Sequence, residues 1–353
     1  MSSNMSLDEA TAILASYGVK PYFVEDLGKI KRITSDKGVF ALKTVPPALG
    51  TDFLRHIQFL YQKGYNRVVP VYPTLDGRYA VLHQNELYYL MPWLPNETKE
   101  EHDDRNNKLF RELARLHTLS AREMPIRKED RKEHYENTLL AIEKDEEFLV
   151  GFLERCEKKI YMSPFELQFC TYYNDIHQTL RFSKQQLEGW YEKTKDEEKI
   201  RTVVIHGKLS TDHFLYDDKG YGYFMNFENA KIGSPYQDIL PYLFRTLKGF
   251  PKNRDDCIKW IQTYYQYFPL KDEEKQLMMS YFTHPTALLR VVQKYHKQQT
   301  RKKERKYTLQ LQRNYWQLRN IEYVVRTLVE IDRQQKEQAA QAQAQAQQGG
   351  AQN

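Results

Sequence analysis

Residues Val203–Leu240 read VVIHGKLSTDHFLYDDKGYGYFMNFENAKIGSPYQDIL, and the reading of this stretch decides the fold. Val203-Val204-Ile205 is a short β-branched run that ends at His206-Gly207. Phe214-Leu215-Tyr216 is a second apolar run, Asp217-Asp218-Lys219-Gly220 is a turn, and Tyr223-Phe224-Met225 is a third run. The pattern predicts strand, tight polar loop, strand, hairpin turn, strand and loop. A polar loop between short buried strands is a place where reactive groups can be mounted on a rigid support.

The order and spacing resemble the catalytic segment of the aminoglycoside phosphotransferase-like and choline-kinase-like branch of the protein kinase fold. That family runs His-Gly-Asp, four residues, Asn, then a hairpin, then Ile-Asp-Phe/Trp-Asp/Glu, then Gly-x-Pro-x-x-Asp-Ile/Leu. Here the frame is His206-Gly207-Lys208-Leu209-Ser210-Thr211-Asp212-His213, then Met225-Asn226-Phe227-Glu228, then Gly233-Ser234-Pro235-Tyr236-Gln237-Asp238-Ile239. The resemblance implies an α+β, protein kinase-like, two-lobed fold, with an N-terminal antiparallel sheet lobe and a larger, mainly helical C-terminal lobe. It also implies that His206 packs under the loop and that Asp238 anchors the loop backbone. Three chemical positions depart from the family. Lys208 stands at the catalytic Asp, His213 at the metal-binding Asn, and Asn226 at the main magnesium-binding Asp.

Phosphoryl transfer makes those departures serious. It needs a carboxylate to orient the attacking hydroxyl and hard oxygen ligands to hold Mg²⁺ against the phosphates. Lys208 is a cation and does not take up that proton. Asn226 offers a neutral amide oxygen where an anion belongs, and His213 is a nitrogen ligand poorly matched to Mg²⁺. Glu228 and Asp212 remain as acids, with Glu228 the candidate metal ligand of a rebuilt site. The expectation is a kinase-shaped scaffold without standard phosphotransfer.

Towards the N-terminus, Ser6 can cap a helix over 7–17, with Ala10, Ile13 and Leu14 on one face. Tyr22-Phe23-Val24, Ile30–Ile33 and Val39–Lys43 read as three strands, with turns at Leu27-Gly28 and Asp36-Lys37-Gly38. The resemblance places Lys43 at the family's phosphate-pairing lysine. The first hairpin carries only Gly28, so close backbone approach to a phosphate is not specified. Phe53–Gln62, FLRHIQFLYQ, fits the helix that normally presents a Glu to the lysine, but it holds no acid. Val68–Val71, Tyr79–Leu82 and Tyr88–Met91 are expected to complete a five- or six-stranded antiparallel sheet. Met91-Pro92-Trp93-Leu94 then looks like the hinge, where the resemblance makes Met91 and Trp93 candidate nucleotide contacts with Lys43.

The expected divisions are 1–94 for the sheet lobe with its hinge, 95–333 for the helical lobe, and 334–353 for a low-complexity tail. Pro95–Glu101 reads as a polar linker, and LFRELARLHTLS and the region from Arg122 to Lys199 as helical. Helices are expected at Tyr236–Lys248, Cys257–Tyr267 and Lys271–Phe282, with a break at His284-Pro285. Lys294–Lys306, KYHKQQTRKKERK, is a dense basic run, read as a solvated face. Tyr307–Val329 is amphipathic. The Gln- and Ala-rich tail can extend the last helix, but it has no apolar face to bury and is expected to fray or be disordered.

The chain has 353 residues, 41% of them hydrophobic, which is enough for a substantial core. Charged residues make up 28% and the net charge is +6, a mild excess that points away from a dedicated nucleic-acid binder. Cys156, Cys170 and Cys257 are too few and too far apart for a disulfide framework or a zinc motif. The opening MSSNMSLDEATAIL lacks the pattern of a signal peptide, and no apolar run approaches a membrane span.

Within the family the chain resembles spore coat proteins of endospore-forming bacteria, of the CotS and YsxE type. The likeness rests on KPYFVEDLGKIKRI, GVFALK, YYLMPWL, the altered HGKLSTDHFLY with NFE, and the long basic helical C-terminus. It implies synthesis in the mother-cell cytoplasm, a place in the spore coat and other coat proteins as partners. The expected function is a structural or assembly component built on a degenerate phosphotransferase fold. The alternatives are an active small-molecule kinase working through Lys43, Glu228 and Asp212, and a scaffold that binds nucleotide without turnover. ATP, with or without Mg²⁺, is the candidate cofactor.

Overall fold

Ser6 opens the first helix, Leu7–Ala15, by accepting a hydrogen bond from the Glu9 amide at 3.1 Å. Its apolar stripe, Ala10, Ile13 and Leu14, is buried against one face of a sheet. That sheet has five strands in spatial order Pro21–Asp26, Ile30–Ser35, Gly38–Val45, Glu86–Pro92 and Val81–His83, each antiparallel to its neighbour. Val24, Ile33, Phe40, Leu42 and Leu90 point to the helix side and form the core with it. Residues alternate across a strand, so the partners between them lie on the other face. Glu25, Arg32, Ala41 and Met91 stand directly opposite one another there, and so do Ile30, Lys43 and Tyr89.

The structure is a computed structural model and describes residues 5–96, 102–251, 254–298 and 303–350. The chain divides into two compact units. One joins Met1–Glu123 to Arg201–Ile239 and Gln266–Phe268; the other holds Met124–Ile200, Leu240–Tyr265 and Pro269–Asn353. The stretch from Val203 to Ile239 thus belongs with the five-stranded sheet. In the second unit the helices Lys128–Glu157 and Pro164–Thr194 follow each other. Ser163 and Glu166 cap the second reciprocally, and Pro164 opens it. Ser183 donates to the Ser280 carbonyl at 2.8 Å, and Tyr315 donates to Asp175 at 2.6 Å, tying that helix to Asp272–Thr283 and Glu304–Gly350. Among the described residues no helix is long and apolar enough to cross a membrane.

The α+β class and most elements stand where the sequence puts them, including the helix Phe53–Gln62. Two expectations are corrected. Val68–Val71 forms no strand: Val68 makes an isolated bridge to Phe224, and Tyr72 another to Leu90. Pro70 has no amide to extend a ladder, so the run is held by burial of Val68 and Val69 and by two backbone hydrogen bonds, from the Val69 amide to the Phe224 carbonyl and from the Phe224 amide to the Arg67 carbonyl. The Gln- and Ala-rich segment, expected to fray or be disordered, continues the last helix to Gly350, its side chains exposed from Arg333 to Ala342. Ala, Gln, Glu and Lys are good helix formers and extend an already nucleated helix without an apolar face. The expected linker falls partly outside the described residues, at 97–101, and so does the basic run, at 299–302.

Candidate functional site

The strand Lys199–Ile205 pairs with Lys231–Gly233, with Ile205 opposite Lys231 and Val203 opposite Gly233. The chain then turns at His206-Gly207, and the turn is fixed by Asp238 in the first turn of the helix Tyr236–Thr246. One carboxylate oxygen of Asp238 accepts from the His206 amide at 2.7 Å, the other from the Gly207 amide at 2.8 Å. His117 Nε2 lies 3.4 Å from the same carboxylate. His117, His206 and Asp238 are all buried. Burial works against the Asp238 carboxylate, but His117 and His206 outweigh it and hold the carboxyl below its ordinary range.

His206 has one tautomer. The Lys208 amide donates to its Nδ1 at 3.2 Å, so Nε2 carries the proton and donates to the Met225 carbonyl at 2.7 Å. Burial lowers its pKa and keeps the ring neutral. Gly207 has φ of +77°, and a Cβ there would sit 2.2 Å from the Asn229 carbonyl oxygen. The His-Gly pair therefore joins the polar loop to the loop that follows Gly222–Phe224, and only glycine allows the approach.

The loop presents Lys208, His213 and Asp212. Lys208 is exposed, and among the described residues its ammonium forms no ion pair. His213 donates from Nδ1 to the Lys208 carbonyl at 2.8 Å, which leaves Nε2 as the acceptor of the neutral ring. Burial, with the positive charges of Lys208 and Lys43, holds its pKa below the ordinary value. Asp212 is exposed and linked only locally, through the Ser210 hydroxyl at 3.3 Å.

Lys43 is 7% exposed, and two side-chain oxygens of the chain accept from its ammonium. It donates to a carboxylate oxygen of Glu228 and to the side-chain oxygen of Asn226. Tyr89, opposite Lys43 on the next strand, donates its hydroxyl to the same oxygen of Glu228. Asn226 has φ of +66°, a left-handed conformation that asparagine tolerates better than most residues. Burial works against the Glu228 carboxylate, but Lys43 and the Tyr89 hydroxyl outweigh it and keep the group ionised. The partner that Phe53–Gln62 cannot give Lys43 thus comes from a loop 185 residues further on.

These groups do not fit a magnesium site. Mg²⁺ asks for about six oxygen ligands in near-octahedral array. The Asn226 oxygen and a Glu228 oxygen both face the Lys43 ammonium, and His213 offers nitrogen. Among the described residues no three His, Cys, Asp or Glu side chains are grouped to hold a metal ion. Glu228, the candidate metal ligand, is placed as a counter-ion.

The first hairpin and the face beside it are similarly occupied by the chain itself. Leu27 donates to the Ile30 carbonyl at 3.0 Å in a tight turn. Asp26 accepts from the Gly28 amide at 2.8 Å and from the Met5 amide at 3.0 Å, and Lys31 lies 3.6 Å from it. In a phosphate-covering loop such amides point at the ligand; here a carboxylate of the chain takes them. On the exposed sheet face Arg32 pairs with Glu25 at 3.5 Å, and its guanidinium lies 5.2 Å from the Trp93 ring centre. The Trp93 amide donates to Val39 at 3.2 Å, and Met91 is buried opposite Ala41.

The structure brings Lys43, Asn226 and Glu228 together, and separately His206, Lys208, His213 and Asp238. Sequence reasoning missed Tyr89 as the second donor to Glu228 and Asp26 as the acceptor of the Gly28 amide. Strand register, with Tyr89 two residues before Met91, was the available signal for the first.

A model of the phosphotransferase enzyme family matches residues 29–267. Among solved structures, an aminoglycoside phosphotransferase from Alicyclobacillus acidocaldarius matches with a TM-score of 0.66 at 13% identity, over 94% of this chain and 98% of that one. A spectinomycin phosphotransferase in complex with AMP matches with a TM-score of 0.51 at 12% identity, over 91% of this chain and 98% of that one. None of the curated proteins matches the chain. At these identities the structural likeness speaks for the fold.

Proposed function

This chain belongs to the phosphotransferase enzyme family, with its kinase-like, two-lobed α+β fold, and from that premise we propose that it works as a non-catalytic scaffold. One observation carries the proposal. The lysine at the family's phosphate-pairing position is closed off by Glu228 and Asn226, while Lys208 stands where the family has its catalytic carboxylate. A nucleotide phosphate reaching Lys43 has to share an ammonium that already donates to Glu228 and Asn226, and it brings further negative charge beside the buried Glu228 carboxylate.

Calorimetric titration with ATP, with and without Mg²⁺, tests this. The expected result is no Mg²⁺-dependent binding. Binding that requires Mg²⁺ and is followed by phosphate release would overturn the scaffold reading in favour of a rearranged small-molecule kinase using Lys43, Glu228 and Asp212. Binding without metal would make the protein a nucleotide-responsive scaffold.

We further propose the spore coat as the place of this scaffold, with other coat proteins as partners and the mother-cell cytoplasm as its site of synthesis. The likeness of YYLMPWL, HGKLSTDHFLY with NFE, and the basic C-terminal helix to CotS- and YsxE-type coat proteins supports this reading. Immunoblotting of coat extracts against mother-cell lysate checks it. Enrichment in the coat is expected, and confinement to the lysate would sink the assignment.

A further inference from the structure

In the second unit, where the helices Asp272–Thr283 and Thr286–Gln298 meet at His284-Pro285, there is a cavity of about 320 Å³. That is near the lower end of the range of small-molecule sites, roughly 300–1,000 Å³. Leu288, Leu318 and Ile321 are buried wall residues, and Phe244 lines the same space. Several polar lining groups are engaged within the chain. Gln317 donates to the Phe244 carbonyl at 2.6 Å and Asn314 to the Ala287 carbonyl at 2.9 Å. His284 is held by Thr286 at 2.8 Å, and burial pushes its pKa down to about 4, so it adds no charge. The carboxylate of Asp145 is turned to His284 and Gln293.

Two lining residues differ from the rest. Lys248 and Arg290 are exposed cations, and among the described residues neither side chain has an ion pair or a hydrogen bond. An apolar recess lined at its open side by two uncommitted positive charges is complementary to a molecule with an apolar body and an anionic end. A cationic ligand would find no carboxylate among the lining residues.

We propose that this cavity binds a small amphipathic anion, its apolar chain against Leu288, Leu318 and Ile321 and its carboxylate or phosphate head held by Lys248 and Arg290. The site is separate from the Lys43 and Lys208 groups and does not depend on the scaffold reading. The head group is tested by titrating the full chain with octanoate, octyl phosphate, octan-1-ol and octylamine. One or both anions should bind, whichever is tighter naming the head group, and octan-1-ol should bind about tenfold more weakly or less, the loss expected for charge-assisted hydrogen bonds. Octylamine should not bind.

Lys248→Glu with Arg290→Glu should erase the preference for anions while leaving thermal stability unchanged, because both side chains are exposed. Ala287→Trp, from an exposed lining position, should block all binding by filling the recess. Equal affinity for octanoate and octan-1-ol, binding untouched by charge reversal, or no binding of either anion would each overturn the proposal.

Discussion

The turn at His206-Gly207 and the groups it carries obey different rules. The anchor is satisfied throughout, with His206 and Asp238 buried: both Asp238 oxygens, both His206 nitrogens and the Gly207 amide have partners. The carried groups, Lys208, His213 and Asn226, differ from the residues the family has at these positions, and Lys208 is exposed. Folding constrains the first set, because a buried polar group without a partner costs stability whatever the protein does. Only catalysis constrains the second. A chain that keeps one set and changes the other supports the scaffold proposal above.

Substitutions should expose that division. Asp238→Ala leaves two amides and two histidines around an empty site, and should cost about 3–5 kcal/mol in chemical denaturation. A loss under about 1 kcal/mol would mean that the anchor does not hold the loop. Gly207→Ala forces a left-handed backbone and a collision with Asn229, and should cost about 2–3 kcal/mol.

Acidification attacks the anchor more gently. The ordinary pKa of His206 is 6.5, and burial lowers it in the folded protein, so the unfolded chain binds more protons below that value. Stability present above pH 6.5 is therefore lost as the pH falls towards the folded pKa, by no more than about 2 kcal/mol for one histidine between about pH 7 and about pH 5. Asp238 and Glu228 have lowered pKa values, and their contribution, present above their ordinary range, is lost in turn as the pH falls through the folded values. Denaturation midpoints that stay constant over both windows would contradict this. Lys208→Asp should be the mildest change, within about 0.5 kcal/mol, because the side chain is exposed and unpaired. A large loss from Lys208→Asp would erase the distinction between anchor and carried groups.

The sequence made the anchor legible because its parts are close together: His206, Gly207 and Asp238 fall inside one motif. The helix Phe53–Gln62 was equally plain, since Phe53, Ile57 and Leu60 recur at helical spacing and are buried. What escaped was longer in range. That Lys43 is met by Glu228 depends on where a loop 185 residues away is set down. Val68–Val71 misled because a short β-branched run reads the same whether it pairs in a ladder or is merely buried. The helical tail misled because amphipathicity reports what a helix buries, while propensity governs an exposed extension.

The single tautomer of His206 gives the loop its own spectroscopic marker. A ring proton on Nε2, shielded from solvent and bonded to the Met225 carbonyl, should exchange slowly enough to give a separate imidazole signal in a proton NMR spectrum. Its lifetime then times how often the loop opens. A compound that unseats the Asn226 segment should shorten that lifetime before any global unfolding is detectable, so one resonance would serve as a screen for occupants of the site around Lys43 and Asn226.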